Sequence, residues 1–467
     1  MYRDRRTLLI LVPIVAFFLV VTSLYLSSDY LTRVVLPKLH YPSAESIHEL
    51  PTPDVVSSDV PVLDNAASST PTPTPTPTPL VAIEPVPIIA VGNGTILKAT
   101  LIQQYVDAIL DPELTTFERL QCPPINETRY APLRSPGEPD ADEAGLSFFF
   151  ALNLRNNLPI LPRLIGSIVE AIRFLGPDRC VLSIVEGNSP DGTGDVLKAL
   201  GPFLDGLGIQ YRYSTSEINP KEGDRIEKLA QLRNMALHPL IEAFEDSASA
   251  DTTVVFLNDV AACSEDILEL ALQRRRLGAD MTCAMDWTYA GPDPTFYDVW
   301  ISRGINGDSF FYIPETGSWE HAWNLFWNDS MTKSRYAANM PFQVFSCWNG
   351  AVTFSAAPLL DGVRFRDAQD GHCKHGEPQI FCKDLWSKGY GKIAVVPSVN
   401  LEYSDDKGLM IKTLKGYVMD LVREERANDS VIDWSGPPEE VKCIENWGNQ
   451  FWKPWEVSRR DLQDSPK

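Results

Sequence analysis

The sequence predicts an α/β protein with a Rossmann-type, mostly parallel sheet flanked by helices, an N-terminal transmembrane helix and an extended stalk. Three observations support this class. Apolar strand-length segments alternate with segments of helical periodicity after residue 146, an apolar run lies near the N-terminus, and a Pro-rich region separates the two. The 467 residues, 44% of them hydrophobic, suffice for a large core. The formal net charge of -21 excludes a nucleic-acid-binding protein, because phosphate binding requires a basic surface.

The first element is a predicted membrane anchor. Arg3, Arg5 and Arg6 precede an uncharged run at residues 7–26, which as a helix would span about 30 Å, the thickness of a bilayer core. The positive-inside rule makes residues 1–6 a cytoplasmic tail and places the rest of the chain in the lumen, as in a single-pass type II membrane protein. A cleaved signal peptide is the alternative, but the apolar run is longer than a usual signal-peptide core.

The second element is a stem at residues 27–100. It is rich in Pro, Ser and Thr, and Pro alternates with Thr at residues 71–79. Repeated X-Pro favours extended polyproline geometry and leaves little apolar surface to bury, so this segment is predicted to hold a domain away from the membrane.

Two features agree with a luminal domain. Asn-x-Ser/Thr sequons for N-glycosylation occur at Asn93, Asn126, Asn328 and Asn428. The chain has eight cysteines, an even number without zinc-finger spacing, so disulfides are expected rather than zinc ligation in an oxidising lumen.

The luminal part divides into a leading segment at residues 101–145, a domain at residues 146–445 and a Trp-rich C-terminal tail at residues 446–467, which is expected to fold back onto the domain. Within the domain, strand and helix patterns alternate as in a parallel sheet covered by helices. Strands are predicted at residues 148–154, 180–185, 210–213, 252–257 and 281–287, and helices at residues 160–175, 195–200 and 224–237.

Acidic segments follow two of the predicted strands. Glu186 and Asp191 lie in the turn after the second strand, and Asn258 and Asp259 follow the fourth. In open sheets of this type, ligands bind beyond the carboxyl ends of the strands. Asp259 could therefore hold a divalent cation that bridges diphosphate oxygens, with Asn258 beside it. The alternative is a simple turn that caps the next helix, near Ser264.

Three further side chains are candidates in the same region. Arg225 and Arg233 lie on a predicted helix, where they either pair with a diphosphate or project to solvent. Asp286 ends another predicted strand, where it contacts a donor sugar or acceptor hydroxyls, or caps a turn.

A third constellation lies closer to the C-terminus. Glu377 precedes an amphipathic segment whose helix dipole would hold the carboxylate ionised, which makes Glu377 a candidate for activating an acceptor or stabilising positive charge on a sugar. His372 and His375 could complete a metal shell, although surface histidines are common.

This succession of strand, acidic turn, basic helix and strand ending in a carboxylate is the one that a GT-A nucleotide-sugar transferase needs. Eight segments spread over residues 146–404 also occur in a characteristic order: SIVEGNSPDGT, LAQLRN, VVFLNDVAACSEDILEL, ADMTCAMDW, SCWNGAV, VRFRD, FCKDLW and VVPSVNLEYS. Together they resemble the fungal capsule-associated α-1,3-mannosyltransferases of the cryptococcal mannosyltransferase group, over most of the luminal domain.

The resemblance implies a Golgi-type membrane enzyme that transfers mannose from the donor GDP-mannose to a glycan acceptor, aided by Mn2+ or Mg2+. It implies that Glu186 and Asp191 lie near the nucleotide, that Asn258-Asp259 stands in for an Asp-x-Asp metal motif, and that the Glu377 region is on the acceptor side. An α-linked donor giving an α-linked product retains configuration, by double displacement or by same-face attack. This chain departs from the pattern in having one carboxylate at the metal motif and Pro378 after Glu377.

Two alternatives remain at the level of sequence. One is a related transferase using another donor, such as UDP-glucose, UDP-galactose or GDP-fucose. The other is a catalytically silent protein that binds glycans or serves as an assembly partner in a homo- or hetero-oligomer in the Golgi, for which the missing second carboxylate is the supporting feature.

Overall fold

The computed structural model describes residues 95–134, 145–242, 248–368, 373–374, 376–422 and 431–455. The predicted anchor, nearly all of the stem, Asn93, Asn428, His372 and His375 lie outside these ranges and stay predictions. Within the ranges, none of the helices has both the length and the apolar character to cross a membrane.

Twelve strands are formed by the described residues. They are β1 (Leu146–Leu154), β2 (Cys180–Glu186), β3 (Gln210–Thr215), β4 (Ala248–Leu257), β5 (Met281–Thr288), β6 (Thr295–Phe296), β7 (Arg303–Gly304), β8 (Phe342–Ser346), β9 (Ala351–Ser355), β10 (Ile393–Leu401), β11 (Glu440–Asn446) and β12 (Asn449–Pro454).

Eleven α-helices accompany them in the same part of the chain. They are α1 (Ala99–Leu110), α2 (Glu127–Tyr130), α3 (Leu161–Leu175), α4 (Thr193–Gly206), α5 (Arg225–Glu242), α6 (Ser264–Leu277), α7 (Ser330–Ala337), α8 (Ala357–Leu360), α9 (Glu377–Ser387), α10 (Asp405–Lys415) and α11 (Val418–Leu421).

Ten strands form one large sheet in the order β3-β2-β1-β4-β9-β5-β10-β8-β7, with β6 added to β5. The half formed by β3, β2, β1 and β4 is entirely parallel. In the other half β9 runs antiparallel between β4 and β5, whereas β10 is parallel to β5. The α/β class with a large, mostly parallel central sheet is therefore confirmed, and the sheet is mixed beyond β4.

The sheet is buried on both faces because alternate residues of its strands enter two different cores. In β1, Phe148 and Phe150 pack with α3 residues such as Ile165, whereas Phe149 packs on the opposite face with α5 residues such as Leu237. This explains the continuous apolar runs in the sequence, which are typical of strands covered by helices on both sides. The strands and helices predicted between residues 148 and 287 are all present, several of them longer than predicted.

Disulfides tie distant segments of the domain together. They join Cys122 to Cys263, Cys283 to Cys347 and Cys373 to Cys443, whereas Cys180 and Cys382 are free and buried. The preference for disulfides over zinc is thus confirmed for six of the eight cysteines.

The C-terminal end of the described chain is a hairpin of β11 and β12, which spans residues 440–454. The predicted domain boundary between residues 445 and 446 therefore falls within β11, which ends at Asn446. Trp447, in the turn, stacks on Trp300 with ring centroids 4.4 Å apart, so this part of the tail folds back onto the domain.

Candidate active site

Three loops that leave the parallel half of the sheet meet at its carboxyl edge. Asn157, in the loop after β1, donates its backbone N–H to Thr193 Oγ1 over 2.9 Å and its side-chain amide to Asp259 Oδ2 over 2.9 Å. Asn157 therefore connects the loop after β2 with the loop after β4. Sequence reasoning did not identify Asn157, because an Asn after a strand is common and its partners lie far along the chain.

The acidic turn after β2 is organised by its own carboxylates. Glu186 accepts backbone N–H groups of Asn188 and Ser189, the latter over 2.8 Å, and is buried. Asp191 accepts the backbone N–H of Thr193 over 2.9 Å and that of Leu158 over 3.1 Å. Both side chains shape the loop that borders the site, and their predicted contact with a nucleotide stays a prediction.

Asp259 is the partly exposed carboxylate at the end of β4. One oxygen accepts the Asn157 amide, and the other accepts no hydrogen bond from the described residues. Asn258 is held beside it, because its backbone N–H donates to Gly350 O over 2.8 Å and its side-chain oxygen accepts Trp348 Nε1 over 3.0 Å. The tertiary structure thus keeps one oxygen of Asp259 open. Helix α6 begins later, with Cys263 as its N-cap, so this pair does not cap it.

Asp286 lies on the other side of β9 and differs sharply from Asp259. It is 0% exposed, and its Oδ2 accepts the Tyr403 hydroxyl over 2.6 Å, while its buried Oδ1 has no partner in the described part of the chain. Burial, together with the nearby Asp298 carboxylate, raises the pKa of Asp286 well above its ordinary value. Burial therefore favours the protonated form of this carboxyl group. Being fully buried, it offers no open surface for the predicted sugar contact.

Asp298 is a site residue that sequence reasoning missed. It follows β6, which pairs with the end of β5, and its Oδ2 accepts the backbone N–H of Asn349 over 3.0 Å. Burial raises the pKa of Asp298 to about 6, although the Asn349 hydrogen bond and the Arg233 charge oppose this shift.

Asn349 and Gly350 lie between the acidic ends of β4 and β5 and connect them. The Asn349 side chain accepts the Ser302 hydroxyl over 2.6 Å and donates to Ala284 O over 2.8 Å. Gly350 has φ of 81°, and an added Cβ would lie 3.1 Å from Val260 and 3.4 Å from Asp286. The glycine permits close approach of the two strand ends to each other.

Arg233 and Glu377 form a buried ion pair between α5 and α9. Arg233 Nε donates to Glu377 Oε1 over 2.7 Å, and the side chains are 12% and 3% exposed. The guanidinium also lies 4.5 Å from the Trp348 ring centroid and near the rings of Phe256 and Phe365. The Arg233 charge is thus directed at Glu377, and a diphosphate contact by Arg233 is not visible in this arrangement.

Arg225 is the less constrained arginine. It is the first residue of α5, is partly exposed, and has no ion pair among the described residues. The charges of both Arg225 and Asp259 affect the pKa of Tyr297, so both side chains lie near that ring.

The fit of the site to a divalent cation can be judged from Asp259. Among the residues that the structure describes, no three His, Cys, Asp or Glu side chains form a cluster that could hold a metal. Magnesium and manganese, however, bind through one or two carboxylates together with substrate phosphates and water. One open oxygen on a partly exposed carboxylate fits such a substrate-borne cation, and does not fit an all-protein metal site.

Two of the predicted glycosylation sites lie in the described chain. Asn126 caps α2 through its side-chain oxygen, which accepts Arg129 N. Asn328 is exposed and donates its amide to Asp308 over 2.8 Å. Both sequons stay predictions.

Comparison with solved structures finds only distant similarity. TarS residues 1–349 of S. aureus align with a TM-score of 0.33 and 12% identity, over 60% of this chain and 66% of that one. A mannosyltransferase of Pyrobaculum calidifontis, solved with GDP-Man and Mn2+, aligns with a TM-score of 0.34 and 11% identity, over 65% and 67%. Similarity at this level supports no conclusion about fold or ligand.

Sequence relatives are closer. The model of the family described as cryptococcal mannosyltransferase 1 matches residues 147–384. Alpha-1,3-mannosyltransferase CMT1 of Cryptococcus neoformans var. neoformans serotype D is 36% identical over 354 residues, which is 72% of each chain. The matched region contains β1 to β9 and the strand ends described above. The chain therefore belongs to the cryptococcal mannosyltransferase 1 family.

Proposed function

We propose that this chain is a divalent-cation-dependent GT-A glycosyltransferase that moves mannose from GDP-mannose to a mannoside acceptor in α-1,3 linkage with retention. Family membership supports mannosyl transfer, and the name of the 36% identical relative supports the α-1,3 linkage. The observation that carries the assignment of the site is the open oxygen of Asp259 at the carboxyl end of β4, where open α/β sheets bind ligands.

In this proposal, Asp259 holds the cation, which when bound neutralises the negative charge of the diphosphate leaving group. Arg225, which is partly exposed and lies near Tyr297, adds positive charge toward the same diphosphate. Asn157 fixes the orientation of Asp259 through its 2.9 Å hydrogen bond, so the carboxylate needs little rearrangement when donor arrives.

The Arg233–Glu377 pair has a different role, which concerns the acceptor. Arg233 packs against aromatic rings and holds Glu377 at 2.7 Å, so the position of the Glu377 carboxylate is fixed. We assign Arg233 a positioning role and Glu377 the acceptor side, where its charge stabilises positive charge on the sugar during transfer.

For the location of the enzyme, we propose a type II protein of the Golgi membrane, with residues 7–26 as the anchor and the catalytic domain in the lumen. Three disulfides in the domain support an oxidising compartment.

The test is a thermal-shift comparison of GDP and UDP, each with and without manganese, followed by a mannose-transfer assay on a mannoside acceptor. Stabilisation by GDP that requires manganese, together with transfer from GDP-mannose, is the expected result. Stabilisation by UDP alone would overturn the donor assignment, and absence of stabilisation by either nucleotide would indicate a catalytically silent protein.

A further inference from the structure

Asp298 occupies a position in the sheet that suits the sugar of the donor. The strand order β4-β9-β5 places the end of β5, and with it β6 and Asp298, two strands away from the Asp259 end of β4. At about 4.8 Å per strand this separation is about 10 Å. A hexose is bonded directly to the outer phosphate, so the sugar of a diphosphate held at Asp259 can reach this region.

The Asp298 carboxylate is fixed at one oxygen and open at the other. Oδ2 accepts Asn349 N over 3.0 Å, and Asp298 O accepts Ser302 N over 3.1 Å. Asn349 is itself held by Ser302 and Ala284. The remaining oxygen, Oδ1, accepts no hydrogen bond in the part of the chain that is described, and the side chain is half-buried.

No salt bridge within the described chain neutralises this carboxylate. The charges of Arg233 and Arg303 both lower its pKa, but Arg233 is paired with Glu377 and Arg303 donates to backbone carbonyl groups. A half-buried carboxylate without an ion pair costs free energy unless another group hydrogen-bonds to it. Sugar hydroxyls supply such donors, and the rings of Tyr297 and Tyr403, 5.1 Å apart, form an aromatic wall beside it that suits the apolar face of a sugar.

We infer that Asp298 accepts hydrogen bonds from hydroxyl groups of the donor hexose and so contributes to recognition of the sugar. This inference rests on the proposed function for the donor itself. It assigns the diphosphate to Asp259 and the sugar to Asp298, which separates two contributions to donor affinity.

The experiment compares the full-length wild type with Asp298→Asn by calorimetry in the presence of manganese, using GDP and GDP-mannose. The wild type is expected to bind GDP-mannose more tightly than GDP, and Asp298→Asn to lose most of that difference, about 10- to 100-fold for a hydrogen bond to a charged group. Affinity for GDP is expected to stay within about twofold. Asp293→Asn, an exposed acid in the same connection, is the matched control and is expected to match the wild type.

A second readout distinguishes recognition from a structural effect. Transfer is measured with GDP-mannose and with donors that each lack one hydroxyl of the sugar. Asp298→Asn should narrow the preference for mannose over at least one deoxy donor, whereas a structural role would lower transfer from all donors equally and would overturn the inference.

Two binding outcomes would also overturn it. Loss of GDP affinity in Asp298→Asn would place the residue at the diphosphate, and equal affinity of the wild type for GDP and GDP-mannose would leave no sugar contact to explain. If the wild type binds UDP-hexose instead, the donor proposal fails, and the same comparison of UDP-hexose with UDP decides the role of Asp298.

Discussion

The two acidic regions at the carboxyl edge of the sheet differ in their access to water. Asp259, at the end of β4, is partly exposed and has an oxygen available to a ligand. Asp286, at the end of β5, is fully buried, bonded to Tyr403 and shifted to a high pKa. The same residue type at equivalent strand ends is thus open to a ligand in one region, whereas burial favours its protonated form in the other.

This difference shows that the location of a carboxylate at a strand end does not by itself determine its exposure or its pKa. Removing a carboxylate from water favours its protonated form unless positive charge or several donors compensate. In the β5 region, we propose that the partly exposed Asp298 has the sugar-contacting role that was predicted for Asp286. The comparison can be tested by making one substitution, Asp to Asn, in each region.

The largest effect is expected for Asp259→Asn. The amide keeps the shape of the side chain and can still accept from Asn157, but it loses the carboxylate that we propose binds the cation, so turnover should fall about 1000-fold. Turnover of the purified variant across a manganese titration measures this. Asp205→Asn, an exposed acid on α4, is the control. Turnover like that of the wild type would contradict the role of Asp259.

The Arg233–Glu377 pair provides the next largest effect. Glu377→Gln leaves Arg233 buried without its partner, so the free energy of unfolding should fall by about 3 kcal/mol, as measured by chemical denaturation. Transfer should be lost while GDP binding is kept, because we propose that the pair lies on the acceptor side.

Asp384→Asn is a matched control on the same helix. It breaks the Arg366–Asp384 pair, whose N–O distance is also 2.7 Å, so it should destabilise the protein but leave transfer intact. Weakened GDP binding in Glu377→Gln would instead indicate that Glu377 contributes to donor binding.

A smaller effect is expected on the pH dependence of stability. The pKa of Asp298 is about 6 in the folded state and 3.8 as the ordinary value. Between these values the folded state binds a proton that the unfolded state has released, so this group makes stability fall as pH rises through the window. Asp298→Asn removes the titration, and its melting temperature relative to the wild type should rise from pH 4 to pH 7.

The gain in stability should grow between pH 4 and pH 6 and be complete by pH 7, because both pKa values then lie below the pH. Other acids titrate in both proteins, so the difference between variant and wild type isolates Asp298. A constant difference from pH 4 to pH 7 would show that Asp298 does not titrate in this window. A gain in stability with a loss of sugar recognition would make Asp298 a residue retained for function.

The smallest effect is expected for Asp286→Asn. An amide closely matches a protonated carboxyl group and can still accept the Tyr403 hydroxyl, so the free energy of unfolding should change by less than about 1 kcal/mol and turnover by less than about tenfold. Denaturation and steady-state kinetics measure both quantities. Inactivity equal to that of Asp259→Asn would restore the direct catalytic role that the sequence predicted for Asp286.

The fold of the parallel half was predictable because its signals are local. The apolar run that became β4 and the helical periodicity of α3 are visible within single windows of sequence. The two-residue strand β6 carries no such signal, since it exists through pairing with β5. Asp298 was missed for this reason.

The sequence by itself determined the alternation of strands and helices, the acidic strand end at Asp259 and the segments by which the family is identified, because these depend on neighbours along the chain. The tertiary structure decided which carboxylates meet water and which are buried, and it paired Arg233 with Glu377 across a separation of 144 residues. Burial and pairing depend on groups brought together from distant segments, and these set the charge of each carboxylate in the folded protein.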